Sequence, residues 1–334
     1  MKTKTAKGRQ MSFAQVEYAG KKKQTRRDKF LGQMEQVVPW KRLIAVIEPH
    51  YPKSGQRGRP PIGIARILRM YFIQQWYGLA DEAVEDAIYD SQALRNFCRI
   101  DLAVESVPDA TTLLNFRHLL ETNELPQAML REVNALLKER GLLMSQGTLI
   151  DATLIAAPSS TKNRKHERDP QMHQTKKGNQ WYFGLKAHIG ADEQSGLVHT
   201  VVSTAANVSD ISQTANLMHG KEQVVGADAG YVGAQKREEV QQALRDNEQQ
   251  VAWRIAKRRK PIREMADGWQ KNLALAYEKL KARIRAKVEH PFHVVKNIFQ
   301  HKKVRYKGVA KNDAQLHTLF ALSNLYMVRG KLCP

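Results

Sequence analysis

Residues 147–157 read GTLIDATLIAA, and this stretch marks a change of pattern along the chain. Before it, apolar residues recur at helical spacing. After it, short runs rich in β-branched residues are separated by turn residues. The run also holds one acid, Asp151, whose charge is costly among apolar neighbours unless something compensates it. The stretch therefore predicts a first buried strand and a domain boundary near residues 140–147.

The chain after this strand predicts a mixed sheet covered by helices. The run YFGLKAHIG alternates apolar and polar residues like a half-buried strand, and the turn ADEQSG returns the chain into LVHTVVST as an antiparallel hairpin. There follow a helix from about residue 210, the strand QVVGAD, the helix AQKREEVQQALRD, the strand QVAWRIA and a helical region over 264–299. The order β-β-β-α-β-α-β-α predicts ligand chemistry near the strand ends.

The chain before this strand predicts helices. Apolar residues over 64–72 follow helical spacing, Gly78 closes this helix, and Asp109 is placed to cap another that runs through TTLLNFRHLLE. Short helices joined by tight turns are compatible with a helix-turn-helix and equally with any all-α bundle. The domain plan is a basic arm over 1–24, a helical DNA-binding or dimerisation domain over 25–143, and a catalytic domain with C-terminal helices over 144–334.

The charge of the chain indicates a partner that carries phosphates. Lys and Arg number 54 against 33 Asp and Glu, which gives a net charge of +21, and such a basic balance with clustered cations is typical of nucleic-acid binding. No stretch approaches the roughly 20 consecutive apolar residues of a spanning helix, and no apolar signal core is present. We therefore expect double-stranded DNA as partner, no membrane, and a cytoplasmic location at the nucleoid.

Four groups of cations are candidates for phosphate contacts, one of them the window 279–307, which holds Arg285 and Lys296. The first 30 residues hold ten Lys and Arg, as a solubilising tail or a DNA-contacting arm would. The run from Arg254 to Arg263 has six Lys and Arg and no acid. Lys186 and His188, on the polar face of their strand, either reach DNA or are solvated. The candidate DNA contacts are Lys186, His188, Arg254, Lys257, Arg258, Arg259, Lys260, Arg285 and Lys296.

Three carboxylates are candidates for catalysis. Asp151 and Asp228 lie on or at the end of predicted central strands, and either acid alone is compatible with a turn cap or a pair with a nearby Lys. Glu289 is the one acid in a window, 279–307, with ten Lys and Arg. Three carboxylates at one point bind Mg²⁺ or Mn²⁺, and two such ions suit phosphodiester displacement. Asp210 precedes a predicted helix and is interpreted as its N-cap, not as a metal ligand.

The surroundings of Glu289 predict a helix with a break. At about 100° per residue, Arg285, Glu289 and Lys296 fall on one stripe. An ion pair between Arg285 and Glu289 is the alternative explanation of this spacing. Pro291 predicts that the helix kinks or restarts just beyond Glu289, which either aims the carboxylate or wraps the helix around the core.

Eight motifs connect these features along nearly the whole chain: FLGQMEQVVPW, WYGLADEAVEDAIYD, VPDATTLLNFRHLLE, QGTLIDATLIAAPSSTKN, DPQMHQTKKGNQWYFGLKAHIG, ADAGY, VEHPF and VRYKG. Together they resemble the DDE transposases of bacterial insertion sequences, specifically the insertion-sequence-five family. The resemblance implies a ribonuclease H-like core in an α+β chain, with Asp151, Asp228 and Glu289 as ligands of Mg²⁺ or Mn²⁺. It also implies DNA cleavage at the element ends, joining of 3′ ends to a target, and a homodimer in the DNA complex.

One position departs from the resemblance. The spacing at Arg285, Glu289 and Lys296 is similar to the family signature Tyr-x2-Arg-x3-Glu-x6-Lys, but Ala282 stands at the place of the tyrosine. Two other functions remain open from the residues: a non-catalytic DNA-binding regulator, and a ribonuclease H-like nuclease without strand transfer. The intact set of three carboxylates favours an enzyme over the regulator.

Overall fold

The computed structural model describes residues 18, 20–53, 60–144, 146–245, 250–257 and 259–333, and for residues 259 and 260 it describes the backbone alone. The chain divides into two compact units, Met1–Leu119 with Lys331–Pro334, and Leu120–Gly330. Most of the predicted basic arm over 1–24 lies outside the described residues. No described helix is both long and apolar enough to cross a membrane.

The described part of the first unit is helical, as the sequence predicts. Thr25 and Asp28 form a capping box at the start of the first helix, where each side chain accepts the backbone N–H of the other. Gly78 ends a buried helix in the left-handed conformation, and the Asp109 carboxylate accepts the Thr112 N–H at 2.7 Å. Both predicted helix ends are thus confirmed. The helices are α1 Arg26–Val37, α2 Trp40–Ile47, α3 Ile64–Tyr77, α4 Asp81–Asp90, α5 Gln92–Cys98 and α6 Ala110–Thr122, which continues into the second unit.

The second unit is a mixed sheet with helices. Its described strands are β1 Gly147–Ala156, β2 His173–Lys177, β3 Gln180–Asp192, β4 Val198–Ala205, β5 Val224–Ala227 and β6 Ala252–Ile255. Its helices are α7 Leu125–Glu139, α8 Glu238–Ala243, α9 Arg259–Arg263, α10 Trp269–Arg285, α11 Glu289–His293 and α12 Val309–Leu332. The units divide before α7, so this helix lies in the second unit, and the domain boundary at residues 143–144 stays a prediction.

The strand order is β4-β3-β1-β5-β6, and β2 also pairs with β3. β3 is antiparallel to β1, β2 and β4, while β5 is parallel to both β1 and β6. One apolar core packs on β1 and β5 and contains Ile150, Val225 and Ala227 together with Tyr231. The mixed sheet flanked by helices confirms the predicted fold class.

The half-buried interpretation of β3 is wrong for its C-terminal half, where His188 is buried like its apolar neighbours. Next to this half of β3, helices bond to Val198, the first residue of the neighbouring strand β4. The Asn324 amide of α12 accepts the Val198 N–H at 2.8 Å and donates to the Val198 carbonyl at 2.7 Å, and Asn134 of α7 donates to the same carbonyl. Residues 187–192 of β3 are all buried, so both faces of this half are covered, which its alternating sequence does not reveal.

Other elements differ from the sequence prediction in length. The helix expected from about residue 210 is two short 3-10 turns, Asp210–Gln213 and Ala215–Leu217. The helix in AQKREEVQQALRD is reduced to a 3-10 turn and α8. The strand β2 was not predicted, because its sequence HQTKK is polar and largely exposed and lacks apolar alternation. Short elements of this kind are held by tertiary contacts more than by their own periodicity.

Candidate active site

The strand register brings Asp151 and Asp228 together. β1 and β5 run in parallel, and their last paired positions are Ile150 and Ala227. The next residue on each strand is an acid, so the two acids occupy neighbouring positions across strands about 4.8 Å apart. A separation of 77 residues in sequence is therefore closed by a single pair of parallel strands.

The electrostatics of Asp151 show that the third acid is near. Burial raises the pKa of the Asp151 carboxyl to about 7, and the charges of Glu289 and Asp228 raise it further. A hydrogen bond from the Ala152 N–H, 2.8 Å from Oδ1, and the charge of Arg285 act in the opposite direction. The ionised form of Asp151 is thus disfavoured by its own burial and by two neighbouring carboxylates.

Asp228 also has a local structural role. Its Oδ1 accepts the Gly230 N–H at 2.8 Å and so caps the 3-10 turn Ala229–Tyr231. The turn-cap interpretation of this acid is therefore correct for one of its oxygens. The carboxylate is half-buried. A cap of this kind fixes the orientation of the side chain.

Glu289 stands at a junction of helix types. The helix α10 ends at Arg285, a 3-10 turn covers Ala286–Val288, α11 begins at Glu289, and a π-helical segment covers Val294–Ile298. The break therefore precedes Glu289, whereas the sequence predicted it just beyond. The physical reason is the position of Pro291: a restart at Glu289 places the proline in the first turn of α11, where its missing N–H needs no helical partner.

The ion-pair explanation of Glu289 finds no support. Among the described residues, Arg285 and Glu289 form no ion pair within 4.0 Å, and the Glu289 side chain is exposed. The single stripe expected for Arg285, Glu289 and Lys296 assumed a uniform α-helix, which the 3-10 and π-helical segments interrupt. Both basic residues nevertheless remain close to the acids, as the pKa effects of Arg285 on Asp151 and of Glu289 on Lys296 show.

Lys296 links the two chain segments that carry Asp151 and Glu289. Its ammonium group donates to Thr153 Oγ1 at 2.6 Å and to the Leu154 carbonyl at 2.7 Å, both on β1. Burial lowers the pKa of Lys296, and the charge of Glu289 partly offsets this effect. Lys296 lies in the π-helical segment, a geometry that is rare and frequent at functional sites.

Tyr231 is a site residue that sequence reasoning passed over, although it ends the motif ADAGY. Its side chain is buried, and within the described residues its hydroxyl has no hydrogen-bond partner. Burial raises the pKa of this hydroxyl, and the charges of Asp210, Asp151 and Asp228 raise it further. The signal was its spacing, since a 3-10 turn returns the third residue after Asp228 to the site.

The cations on β3 are engaged inside the protein. The Lys186 ammonium group lies 2.9 Å from Asp210 Oδ1 and donates to the Val208 carbonyl at 2.8 Å. His188 is fully buried, 2.8 Å from Thr204 Oγ1, and burial lowers its pKa to about 4. The N-cap interpretation of Asp210 is wrong, because Ser209 takes that position and Asp210 pairs with Lys186.

The second basic run is only partly described. Arg254 on β6 forms an ion pair with Glu193 at 2.5 Å. Lys257 is exposed, and its backbone N–H donates to Glu278 Oε2 at 3.1 Å. Arg258 lies outside the described residues, as do the side chains of Arg259 and Lys260 on α9. Within the described ranges, no three Asp, Glu, His or Cys side chains are placed to hold one metal ion between them.

A mixed sheet with acids at the ends of adjacent parallel strands, and a third acid on a following helix, defines a mixed α+β domain with an acidic site at its strand ends. Residues 143–325 match the family model described as transposase DDE domain, and residues 19–119 match the model described as transposase domain (DUF772). The chain belongs to the DDE transposase family. The two matched regions correspond to the sheet-containing unit and to the helical unit.

Proposed function

We propose that this transposase cuts DNA at the ends of its insertion sequence and joins the 3′ ends to target DNA. Asp151, Asp228 and Glu289 are the proposed catalytic carboxylates, and the proposal includes membership of the insertion-sequence-five family, which the motifs of the chain support. The proposal includes a homodimer in the DNA complex and action at the nucleoid in the cytoplasm. The observation that carries it is the parallel register of β1 and β5, which places Asp151 beside Asp228 at the strand ends, with Glu289 close enough for its charge to raise the pKa of Asp151.

The donor set suits Mg²⁺ or Mn²⁺, because hard cations take oxygen ligands. An acid whose charge is disfavoured by burial and by like charges gains most from a cation beside it. Glu289 is exposed, so its side chain has rotamer freedom to approach the two aspartates. Two divalent ions, when bound, supply stabilisation of the attacking and the leaving oxygens in phosphodiester displacement.

The surrounding residues have three proposed roles. The Gly230 N–H orients Asp228, and the Lys296 ammonium group holds β1 against the segment that follows Glu289. Arg285 reduces the repulsion among the acids. For phosphate contacts we propose Arg285 and the cations of the run Arg254–Arg263, which include Lys257, Arg258, Arg259 and Lys260. Lys186, Lys296 and His188 have less support as DNA contacts, because their polar groups have partners in the protein or are buried.

The test uses the full chain with labelled duplex DNA that carries the element's own flanking ends, in Mg²⁺, in Mn²⁺ and in EDTA. We expect metal-dependent nicks at the ends and products in which 3′ ends are joined to a second duplex. Asp151→Asn, Asp228→Asn and Glu289→Gln should each abolish both products. Glu239→Gln is the matched control, since Glu239 is an exposed acid of the same unit that pairs with Arg237, a residue with no proposed role.

The two other functions give different results in the same experiment. A nuclease without strand transfer produces nicks and no joined products. A non-catalytic regulator binds the ends and leaves them uncut, and the three carboxylate variants then behave like the wild type. DNA cleavage that persists unchanged in all three variants contradicts the proposed catalytic residues.

A further inference from the structure

The helix α10, which leads to Glu289, carries a row of exposed apolar side chains. Trp269 is 72% exposed, Leu273 61%, Leu280 52% and Tyr277 49%. Together with the exposed Ala276 they form the α10 stripe: Trp269, Leu273, Ala276, Tyr277 and Leu280. At about 100° per residue these five residues occupy an arc of about 100° on one side of the helix. Contiguous apolar patches of this kind mark interaction surfaces.

The α10 stripe is separate from the face that attaches the helix to its own domain. On that face Lys281 is buried, donates to the Ile255 carbonyl at 2.9 Å and forms an ion pair with Glu278. Glu278 in turn accepts the Lys257 N–H at 3.1 Å. The attachment of α10 to β6 is therefore polar, and of the stripe residues Tyr277 borders it, with its ring 4.9 Å from the Lys281 ammonium group.

The spacing of the stripe is that of helix pairing. Trp269, Leu273, Ala276 and Leu280 are four, three and four residues apart, which is the repeat of the seam between two packed helices. An antiparallel copy centred between Leu273 and Ala276 places each Leu273 against Ala276 of the other copy. Trp269 then faces Leu280. The large residue of each layer thus meets the smaller one, which allows the helices to approach to about 8–10 Å.

The charges along α10 favour this antiparallel direction. At the N-terminal end Asp267 and Lys271 form an ion pair at 2.7 Å, so these two charges offset each other, whereas Lys279, Arg283 and Lys287 lie toward the C-terminal end. Antiparallel pairing puts the charge-paired N-terminal end of one helix beside the basic C-terminal end of the other. Parallel pairing puts two basic ends together, which is repulsive.

We propose that the α10 stripe is a self-association surface, on which a second copy of this chain docks with its α10 antiparallel. This inference rests on the proposed function, because it assigns a surface to the homodimer proposed there. The paired stripes bury on the order of 1,000 Å² in total, at the lower limit for specific interfaces. The dimer is therefore weak in the absence of DNA, with a dissociation constant on the order of 10 μM. Because α10 ends four residues before Glu289, the partner copy lies beside the candidate active site.

The test is sedimentation equilibrium of the full chain, without DNA or metal, from about 1 to 100 μM. It runs at about 0.3 M salt, where repulsion between copies of net charge +21 is largely screened. We expect a monomer–dimer equilibrium for the wild type and at least tenfold weaker association for Leu273→Glu and for Leu280→Glu. Leu275→Glu is the matched control. Leu275 is 40% exposed on the same helix but lies about 150° from the centre of the stripe. The Leu275→Glu protein should therefore dimerise like the wild type.

A charge exchange tests the direction of pairing, at about 0.1 M salt where charge effects are larger. Asp267→Lys should weaken the dimer several-fold, and Asp267→Lys combined with Arg283→Glu should restore it. A wild type that stays monomeric at 100 μM, or an equal loss in Leu275→Glu and Leu273→Glu, overturns the proposal. So does a loss of DNA binding in stripe variants of a monomeric protein, which identifies the stripe as a DNA surface. These outcomes leave the cleavage test of the carboxylates unaffected.

Discussion

The replacement Asp151→Asn should make the metal-free protein more stable at alkaline pH while it abolishes DNA cleavage. The pKa of Asp151 is raised from 3.8 to about 7 in the folded protein. Below pH 3.8 the acid is neutral in both the folded and the unfolded chain, so its burial carries no free-energy cost of burying a charge. As the pH rises toward 7 the unfolded chain loses this proton first, so folding stability falls, and the full cost is present above pH 7.

The expected size follows from the shift. About three pH units at 1.36 kcal/mol each give about 4 kcal/mol as an upper value, and we expect about 2–4 kcal/mol for this half-buried group. An asparagine removes the charge and keeps an oxygen that accepts the Ala152 N–H. The gain in stability of Asp151→Asn over the wild type should therefore be largest near pH 8 and close to zero near pH 4.

The assay is urea unfolding followed by circular dichroism in EDTA at pH 8, 6 and 4.5, with wild type and variant compared at each pH. Asp192→Asn is the matched control. Asp192 is a buried acid of β3 whose Oδ2 accepts the Ser195 N–H at 2.8 Å and the Ser195 hydroxyl at 2.6 Å, so its replacement should lower stability. A loss of stability in Asp151→Asn at pH 8, or a gain that does not change with pH, refutes the reasoning.

Four further outcomes are expected. Addition of Mg²⁺ or Mn²⁺ at pH 8 should raise the melting temperature of the wild type and leave that of Asp151→Asn unchanged, and equal shifts contradict a site at Asp151. Tyr231→Phe should be neutral or stabilising by about 1 kcal/mol in urea unfolding, because the lost hydroxyl is buried and has no partner among the described residues. Lys296→Met should destabilise the fold by about 2 kcal/mol and leave the salt dependence of DNA binding nearly unchanged; a loss of about one unit in the slope of log K against log salt would show a phosphate contact instead. Glu289→Gln should bind DNA as well as the wild type or slightly better in a filter-binding assay and yet fail to cut it, whereas a sharp fall in its melting temperature would indicate a structural acid.

The sequence predicted the sheet and its acidic strand ends because these features are local. A β-branched run with one acid in it is visible without any tertiary contact, and the strand order then places Asp151 beside Asp228. The position of Glu289 along the chain was also predicted. Its helix break was placed on the wrong side, because Pro291 is compatible with a kink after Glu289 and with a new helix that begins at Glu289.

The features that sequence reasoning missed depend on what covers a residue. His188 has the alternating neighbours of a half-exposed strand, but it is buried, with Thr204 of β4 and Asp210 of the following 3-10 turn beside its ring. The sequence predicted Lys186 and Lys296 as candidate DNA contacts because their partners are distant in sequence. Asp210 lies 24 residues from Lys186, and Thr153 on β1 lies 143 residues from Lys296. The apolar side chains of α10 are the opposite case, because they are exposed in the structure. Periodicity predicts an apolar face of a helix but does not predict whether another element covers it.

The ammonium group of Lys296 makes two of the three acids parts of one rigid piece. It bonds to residues two and three positions after Asp151, and it lies seven positions after Glu289. A displacement of the helix at Glu289 relative to β1 must therefore break these bonds or carry the strand along. Closure of the carboxylates around a ligand then takes place by rotation of side chains, with the backbone acting as a fixed frame. Backbone amides of β1 and of the segment after Glu289 should accordingly exchange with solvent as one cooperative unit.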